Sequence, residues 1–177
     1  LESAFDRVDV FDAFYELRQG RLVSDDPDHH VVEDSAASQD LARKLRALEE
    51  TELFSGLNRR QLRLLAFGAR WYSAQAGDAV FLKNDVASDG VYMITEGQAG
   101  LFLPQEGQED HKVTSVGPGK LVGELGLIRK EPRALSMIAE TELTCLRIGE
   151  EEFLAVVEND ANTAFKLLQV VSGYVGN

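Results

Sequence analysis

The chain has 177 residues, 44% of them hydrophobic, which suits one folded domain with a short extension. A single cysteine excludes an internal disulfide framework and fits a reducing cytoplasm, and no apolar run approaches the length of a membrane span. The net charge of −12 argues against a chain that binds nucleic acid or an anionic membrane.

Residues 1–35 form the most acidic part of the chain, with ten acidic and three basic side chains and a net charge of −7. Apolar residues recur at helical spacings between positions 8 and 22, and the polar residues 24–30 are typical of a linker. We therefore expect an N-terminal extension or the end of a preceding domain, since the chain also begins with Leu and not Met. His29 and His30 stand beside acidic residues in this linker, where adjacent histidines are more often solvated than metal-bound.

A helical pair is predicted over residues 36–69. Ser38 suits the N-cap of the first helix, and Gly56 ends the turn that follows it. Asn58 suits the N-cap of the second helix. The apolar face of the first helix consists of Leu41, Leu45 and Leu48. This face packs either on the rest of the domain or on a second copy of the chain, and three positions are too few to predict a coiled coil.

Residues 70–149 change to short strands in which apolar residues alternate with others. The alternation is clear at Leu143, Cys145 and Arg147, and turn signals such as residues 88–90 recur at close intervals. Many short strands with close turns predict an antiparallel barrel or jelly roll. The fold class is therefore mainly β with flanking helices (α+β), and Cys145 is expected to be a buried, inert thiol.

Two helices are predicted after the strands. The first covers residues 150–157, where three glutamates occupy the first turn and interact favourably with the helix dipole. Asn159 and Asp160 interrupt the pattern, and a second helix follows with an apolar stripe that includes Leu168 and Tyr174. This stripe suits core packing, dimer packing or a covering role equally well.

The chemistry of the chain is concentrated in residues 121–137, which predict a strand, a glycine turn, a short helix, a loop and a second strand. A helix that begins at Glu124 leaves its first N–H groups unpaired, and they favour an anion. Gly123 and Gly126 permit close approach of the backbone, and Arg133 can grip two phosphate oxygens. Glu124 repels a phosphate unless it accepts a bond from a hydroxyl on the same ligand. An anion beside a hydroxyl indicates a nucleotide.

This segment resembles the phosphate-binding cassette of the cyclic nucleotide-binding domain family, which includes catabolite activators and protein kinase A regulatory subunits. The spacing from Gly123 and Glu124 to Arg133 matches without a gap. The resemblance implies that Glu124 holds the ribose 2′-OH and that Arg133 holds the cyclic phosphate. Backbone N–H groups near Leu125, Gly126 and Ala134 help Arg133 to hold that phosphate. The candidate ligand-binding residues are Gly123, Glu124, Leu125, Gly126, Arg133, Ala134, Leu135 and Ser136.

The resemblance also implies a ligand preference. A Thr directly after the arginine tends to favour cGMP in this family, and the chain has Ala134 there, so cAMP is favoured over cGMP. Two residues depart from the family pattern. Val122 replaces the usual Phe, and Leu135 replaces a usually small residue, which narrows the pocket.

The resemblance extends over about residues 40–175 and implies a domain over residues 36–177. Its parts are a helical entry (36–69), a jelly-roll β-barrel (70–149), and hinge and lid helices (150–177). In the family the last helix folds over the bound base, so Leu168 or Tyr174 is the candidate lid residue.

We therefore expect a non-enzymatic regulatory module that binds cAMP, needs no catalytic cofactor and signals to a fused effector domain. That effector, a transporter, channel or enzyme, is expected before Leu1, which places the module in the cytoplasm, alone or as part of a membrane protein. The alternative is a scaffold or dimerisation module of the same fold whose pocket is filled by Leu135. A metal-dependent jelly-roll enzyme is rejected because His111 is the single histidine of the barrel region, and the chain contains no helix-turn-helix for DNA.

Overall fold

The computed structural model describes the backbone of residues 27–175 and the side chains of residues 35–170 and of Ser172. The expectations for residues 1–26 and for the side chain of Tyr174 lie outside the described residues.

Within residues 27–175, eight short strands form two four-stranded sheets, in which every neighbouring pair is antiparallel. The order is β1-β8-β3-β6 in one sheet and β2-β7-β4-β5 in the other. The mixed α+β class and the antiparallel strands are confirmed. The strands are β1 (Ala69–Ala74), β2 (Ala79–Phe81), β3 (Val91–Glu96), β4 (Ala99–Leu103), β5 (His111–Val116), β6 (Leu121–Val122), β7 (Ser136–Ala139) and β8 (Leu143–Ile148).

Helices lie before, within and after the strands: α1 (Pro27–Glu49), α2 (Arg59–Phe67), α3 (Glu124–Arg129), α4 (Glu150–Asn159) and α5 (Ala161–Val175). The expected helix start at Ser38 is wrong, because α1 begins at Pro27 and includes part of the predicted linker. A proline is tolerated in the first turn of a helix. Polar composition alone therefore did not mark a linker here.

The N-cap predicted at Asn58 is confirmed. The Oδ1 of Asn58 accepts a hydrogen bond from the backbone N–H of Gln61 at 2.9 Å, and the Oε1 of Gln61 accepts one from the N–H of Asn58 at 2.9 Å. This reciprocal capping box fixes where α2 begins. The predicted break at Asn159 and Asp160 is also confirmed, since α4 ends at Asn159 and α5 begins at Ala161.

Two clusters of buried apolar residues follow from the alternation along β3 and β8. Met93 and Leu146 face the helices, where they join a cluster with Phe153, while Tyr92 and Cys145 face the second sheet. The prediction that Cys145 is buried is confirmed, and burial raises the pKa of its thiol to about 12, which favours the protonated, unreactive form.

Candidate functional site

A cavity of about 250 Å³ opens beside α3 and the loop that follows it. Two charged side chains in its lining, Glu124 and Arg133, are each only 3% exposed. The lining residues are Phe81, Leu101, Val113, Thr114, Val122, Gly123, Glu124, Leu125, Gly126, Arg129, Glu131, Pro132, Arg133, Ala134 and Leu135. A buried cation and a buried carboxylate thus share one otherwise mostly apolar space.

Gly123 joins β6 to α3 and is required there for two reasons. Its φ of +96° lies in the left-handed region, which disfavours residues with a Cβ. A Cβ on Gly123 would also overlap the Nη1 atom of Arg133. The glycine therefore lets the main chain turn into α3 and lets the guanidinium approach that turn.

The Arg133 guanidinium is held by three acceptors from the protein. Nη1 donates to the carbonyl oxygen of Gly123 at 2.8 Å, and Nη2 donates to Oδ1 of Asp89 at 2.6 Å and to the carbonyl oxygen of Gly90 at 2.7 Å. The guanidinium carbon also lies 4.4 Å from the ring centroid of Phe81, which is within the range of a cation–π contact. These contacts fix the orientation of the cation inside the fold.

This arrangement leaves the Nε atom of Arg133 without an acceptor. It is buried, and within the described part of the chain it has no hydrogen-bond partner. An unpaired buried N–H of a charged group is unfavourable, so it marks a place where an acceptor is missing. Because Arg133 lines the cavity, its side chain is the candidate donor for an acceptor that enters there.

The main chain of Arg133 is held as firmly as its side chain. Its N–H donates to the carbonyl of Asp85 at 2.9 Å, and its carbonyl accepts from the N–H of Asn84 at 2.8 Å. The connection between β2 and β3 therefore holds Arg133 at both its backbone and its guanidinium.

Asp89 is a site residue that the sequence reasoning missed. Besides pairing with Arg133, its Oδ2 accepts a hydrogen bond from the Tyr92 hydroxyl at 2.5 Å. Burial, followed by this bond to Asp89, raises the pKa of Tyr92, so the hydroxyl remains a donor. The sequence marked residues 88–90 only as a turn, and no local signal connected them with a cation far along the chain.

The Glu124 carboxyl lies in the first turn of α3. Burial raises its pKa, opposed by a hydrogen bond from its own backbone and by the charge of Arg133. A carboxylate removed from water gains from a hydrogen-bond donor on a ligand. Glu124 can therefore accept from a hydroxyl that enters the cavity.

Seven of the eight predicted ligand-binding residues line the cavity; Ser136 does not. The Ser136 hydroxyl is buried and accepts a hydrogen bond from the N–H of Lys83 at 2.9 Å, which gives it a role in joining β2 to β7. Leu135 is half-buried in the cavity wall and leaves the space open, so it narrows the cavity without filling it.

The predicted lid residue Leu168 lies away from the cavity. It is 66% exposed, and α5 contributes no residue to the described lining. Instead, Nζ of Lys166 donates to the carbonyl of Glu52 at 3.0 Å and to Oγ of Ser55 at 2.8 Å. These bonds hold α5 against the short 3₁₀ turn between α1 and α2.

Known proteins match this arrangement. The family described as "Cyclic nucleotide-binding domain" matches residues 72–160, about half of the chain and all eight strands except the start of β1. The chain therefore belongs to the cyclic nucleotide-binding domain family, as the resemblance predicted.

Individual relatives match this chain over only part of their own length. The chain is 29% identical over 106 residues to a cAMP-dependent protein kinase regulatory subunit of Blastocladiella emersonii, covering 60% of this chain and 26% of that protein. It is 25% identical over 153 residues to the potassium channel KAT3 of Arabidopsis thaliana, covering 86% and 22% respectively. The chain thus spans only about a quarter of the length of each of these relatives.

A solved structure, the regulatory domain of Toxoplasma gondii PKA with cAMP, has the same fold. Its TM-score is 0.71 at 22% identity, covering 79% of this chain and 52% of that one.

Within residues 27–175, no helix has both the length and the apolar character needed to cross a membrane. In the same described part of the chain, no three His, Cys, Asp or Glu side chains are grouped so as to hold a metal ion.

Proposed function

We propose that the chain binds a 3′,5′-cyclic nucleotide in the cavity lined by Glu124 and Arg133. The observation that carries the proposal is that a buried guanidinium with an unsatisfied Nε and a buried carboxylate face the same space. The guanidinium and the N–H groups in the first turn of α3 suit a cyclic phosphate, and the carboxylate suits the ribose 2′-OH. The named kinase regulatory subunit and the cAMP-containing structure support this ligand class.

We propose cAMP as the favoured ligand over cGMP. Ala134 places a methyl group, not a hydroxyl, beside Arg133, and Phe81, Leu101 and Leu135 make the wall largely apolar. Guanine carries more hydrogen-bonding groups than adenine, and an apolar wall leaves such groups unpaired at a free-energy cost. The cavity volume of about 250 Å³ is slightly below the roughly 300–1,000 Å³ typical of small-ligand sites.

We propose a regulatory and not a catalytic role, with the ligand as the signal. Leu127 of α3 and Phe153 of α4 are buried in the same apolar cluster, so a movement of α3 towards a phosphate requires α4 to repack. The α5 helix, with Leu168 and Tyr174, then moves from the 3₁₀ turn to cover the base. The ligand shifts this equilibrium only by its preference for the closed state.

The wider context follows as part of the proposal. The strand orders of the two sheets suit a jelly roll, within a functional unit over residues 36–177. The chain spans only about a quarter of the kinase regulatory subunit and of the channel, which supports a fused effector. We place that effector before Leu1 and the module in the cytoplasm. A second copy of the chain remains a candidate partner.

Isothermal titration calorimetry with cAMP and cGMP tests the proposal. We expect Arg133→Ala to weaken cAMP binding by about 2–5 kcal/mol, the scale for removing one partner of a buried charge pair. Arg129→Ala is the matched control, since Arg129 lines the same cavity but forms an exposed pair with Glu131, which contributes at most about 1 kcal/mol.

Equal affinity of wild type and Arg133→Ala, with both variants folded by circular dichroism, would overturn the assignment. The scaffold alternative predicts no rise in melting temperature when cAMP is added to the wild-type chain. A binding module predicts a rise, because a ligand that binds only the native state stabilises it.

A further inference from the structure

The wall of the cavity on the side of β4 and β5 is shaped by a β-bulge. Leu101 of β4 pairs with Thr114, and the next residue, Phe102, pairs with Lys112, so Val113 is an extra residue in β5. Neighbouring residues of a regular strand point to opposite faces of the sheet, and a bulge interrupts that alternation. Val113 and Thr114 both line the cavity, as does Leu101 opposite Thr114. The bulge therefore directs two neighbouring side chains of β5 towards the same space.

Thr114 differs from the other lining residues in its chemistry. Among the lining side chains in the described part of the chain, it is the one that is polar and uncharged. Its Oγ1 donates a hydrogen bond to the carbonyl oxygen of Ser115 at 3.3 Å. A threonine hydroxyl has one proton and two acceptor lone pairs. Because the proton is used within β5, the hydroxyl offers an acceptor to a ligand.

The position of Thr114 suits contact with the base of the cyclic nucleotide, a step that rests on the proposed function. In that proposal Arg133 and the first turn of α3 hold the phosphate, and Glu124 holds the ribose hydroxyl. The part of the lining that remains for the base includes Leu101, Val113 and Thr114. A base in this part of the cavity packs on apolar side chains and meets one hydroxyl oxygen.

An acceptor at this place distinguishes adenine from guanine. Adenine carries an amino group, a donor, at position 6, whereas guanine carries a carbonyl oxygen, an acceptor, at the same position. The Thr114 oxygen can accept a hydrogen bond from the amino group but faces a second acceptor when the base is guanine. A site that hydrogen-bonds one group of a ligand rejects analogues that lack it, because the polar group of the site then stays unpaired.

We infer that Thr114 is a specificity-determining residue whose hydroxyl accepts a hydrogen bond from the 6-amino group of adenine. The bulge at Val113 is the feature of the fold that directs this hydroxyl to the base. The preference for cAMP then has a source in β5, in addition to the methyl group of Ala134 beside Arg133.

Isothermal titration calorimetry with three ligands tests the inference. These are cAMP, cGMP and the 3′,5′-cyclic monophosphate of purine riboside, which is cAMP without its 6-amino group. We expect the wild type to bind cAMP about tenfold more tightly than the purine riboside ligand, the scale of one hydrogen bond. In Thr114→Val, the affinity for cAMP should fall about tenfold to that of the purine riboside ligand, and the preference for cAMP over cGMP should narrow. Valine suits an exposed strand position, so this variant should fold.

Two further variants separate the hydroxyl from other effects. Thr114→Ser keeps the hydroxyl and should still discriminate between cAMP and the purine riboside ligand. Thr95→Val is the matched control, since Oγ1 of Thr95 also donates to a backbone carbonyl, that of Thr144 at 3.0 Å, but Thr95 lies outside the described lining. This control should bind all three ligands as the wild type does.

Equal affinity of the wild type for cAMP and the purine riboside ligand would overturn the inference. A Thr114→Val variant that still discriminates between these two ligands would overturn it as well. In both cases cAMP binds, so the proposed function stands. If the wild type binds none of the three ligands, the proposed function fails and this inference fails with it.

Discussion

Asp89 and Arg133 form an ion pair beside the cavity, with Nη2 of the arginine 2.6 Å from Oδ1 of the aspartate. The arginine side chain is 2% exposed and the aspartate side chain 35% exposed, so a nearly dehydrated cation is paired with a partly hydrated anion. The cation is therefore oriented by the protein before any ligand is present.

We expect Asp89→Asn to lower the free energy of unfolding by about 1–2 kcal/mol. The loss of a partner leaves a buried cation less compensated, and the value is below the usual 3–5 kcal/mol because Asp89 is partly exposed. Urea denaturation measures the change, with Asp110→Asn in an exposed loop as the control. If cAMP binds as proposed, it should stabilise Asp89→Asn more than the wild type, since its phosphate restores the missing negative charge. Equal free energies of unfolding for Asp89→Asn and the control Asp110→Asn would contradict the role of the pair.

Glu124→Gln tests the buried carboxyl through pH. Burial raises the pKa of Glu124 in the folded state, so the folded chain holds this proton more tightly than the unfolded chain. The contribution of Glu124 to stability is then fully present below its ordinary pKa of 4.5 and is lost as the pH rises through the folded pKa. We expect Glu124→Gln to remove this loss and to be more stable than wild type at pH 7.

Denaturation curves between pH 4 and pH 8 measure that difference, with the exposed Glu96→Gln as the control. A Glu124→Gln variant that is less stable than wild type at neutral pH would show that the carboxylate has compensating partners.

Gly123→Ala and Gly119→Ala separate backbone strain from steric overlap. Both glycines have positive φ, +96° and +82°, but a Cβ at Gly119 meets no atom within 4 Å. Gly119→Ala should therefore cost about 1–2 kcal/mol of strain alone. Gly123→Ala should cost about 1–3 kcal/mol more, because its Cβ displaces the guanidinium from its acceptors, and should also abolish cAMP binding. Comparable losses in the two variants, measured by thermal denaturation and titration, would argue against the overlap.

Leu168→Ala tests the lid. Leu168 is 66% exposed, so its truncation should change the free energy of unfolding of the ligand-free chain by less than about 0.5 kcal/mol. If Leu168 covers the bound base, cAMP affinity should fall by about 1–2 kcal/mol through lost apolar burial. The neighbouring exposed Gln169→Ala is the control and should leave the affinity unchanged. A lid is ruled out at this position if both variants bind equally well.

The local parts of the site could be predicted from the sequence. Gly123, Glu124 and Arg133 lie within one short segment, and the spacing of a turn, a helix and a strand brings them together. The cap at Asn58 was predictable for the same reason, since its hydrogen bonds span three residues. The buried Cys145 followed from strand alternation.

The long-range parts could not be predicted. Asp89 and Arg133 are 44 positions apart, and their contact depends on how the β2–β3 connection folds over α3. Phe81 and Tyr92 reach the guanidinium through two different strands. The role of Ser136 was missed because a buried hydroxyl next to a site and one inside it have the same sequence pattern. The start of α1 was missed because polar residues suit both a linker and an exposed helix.

The double attachment of Arg133 to residues 84–90 has a mechanical consequence. Ala87, on the same connection, is part of the helical core, so the cation is anchored to the interior of the molecule from two sides. A ligand that displaced the guanidinium would also have to displace residues 84–90, which are anchored in the core by Ala87. The wall that carries the arginine is accordingly stiff.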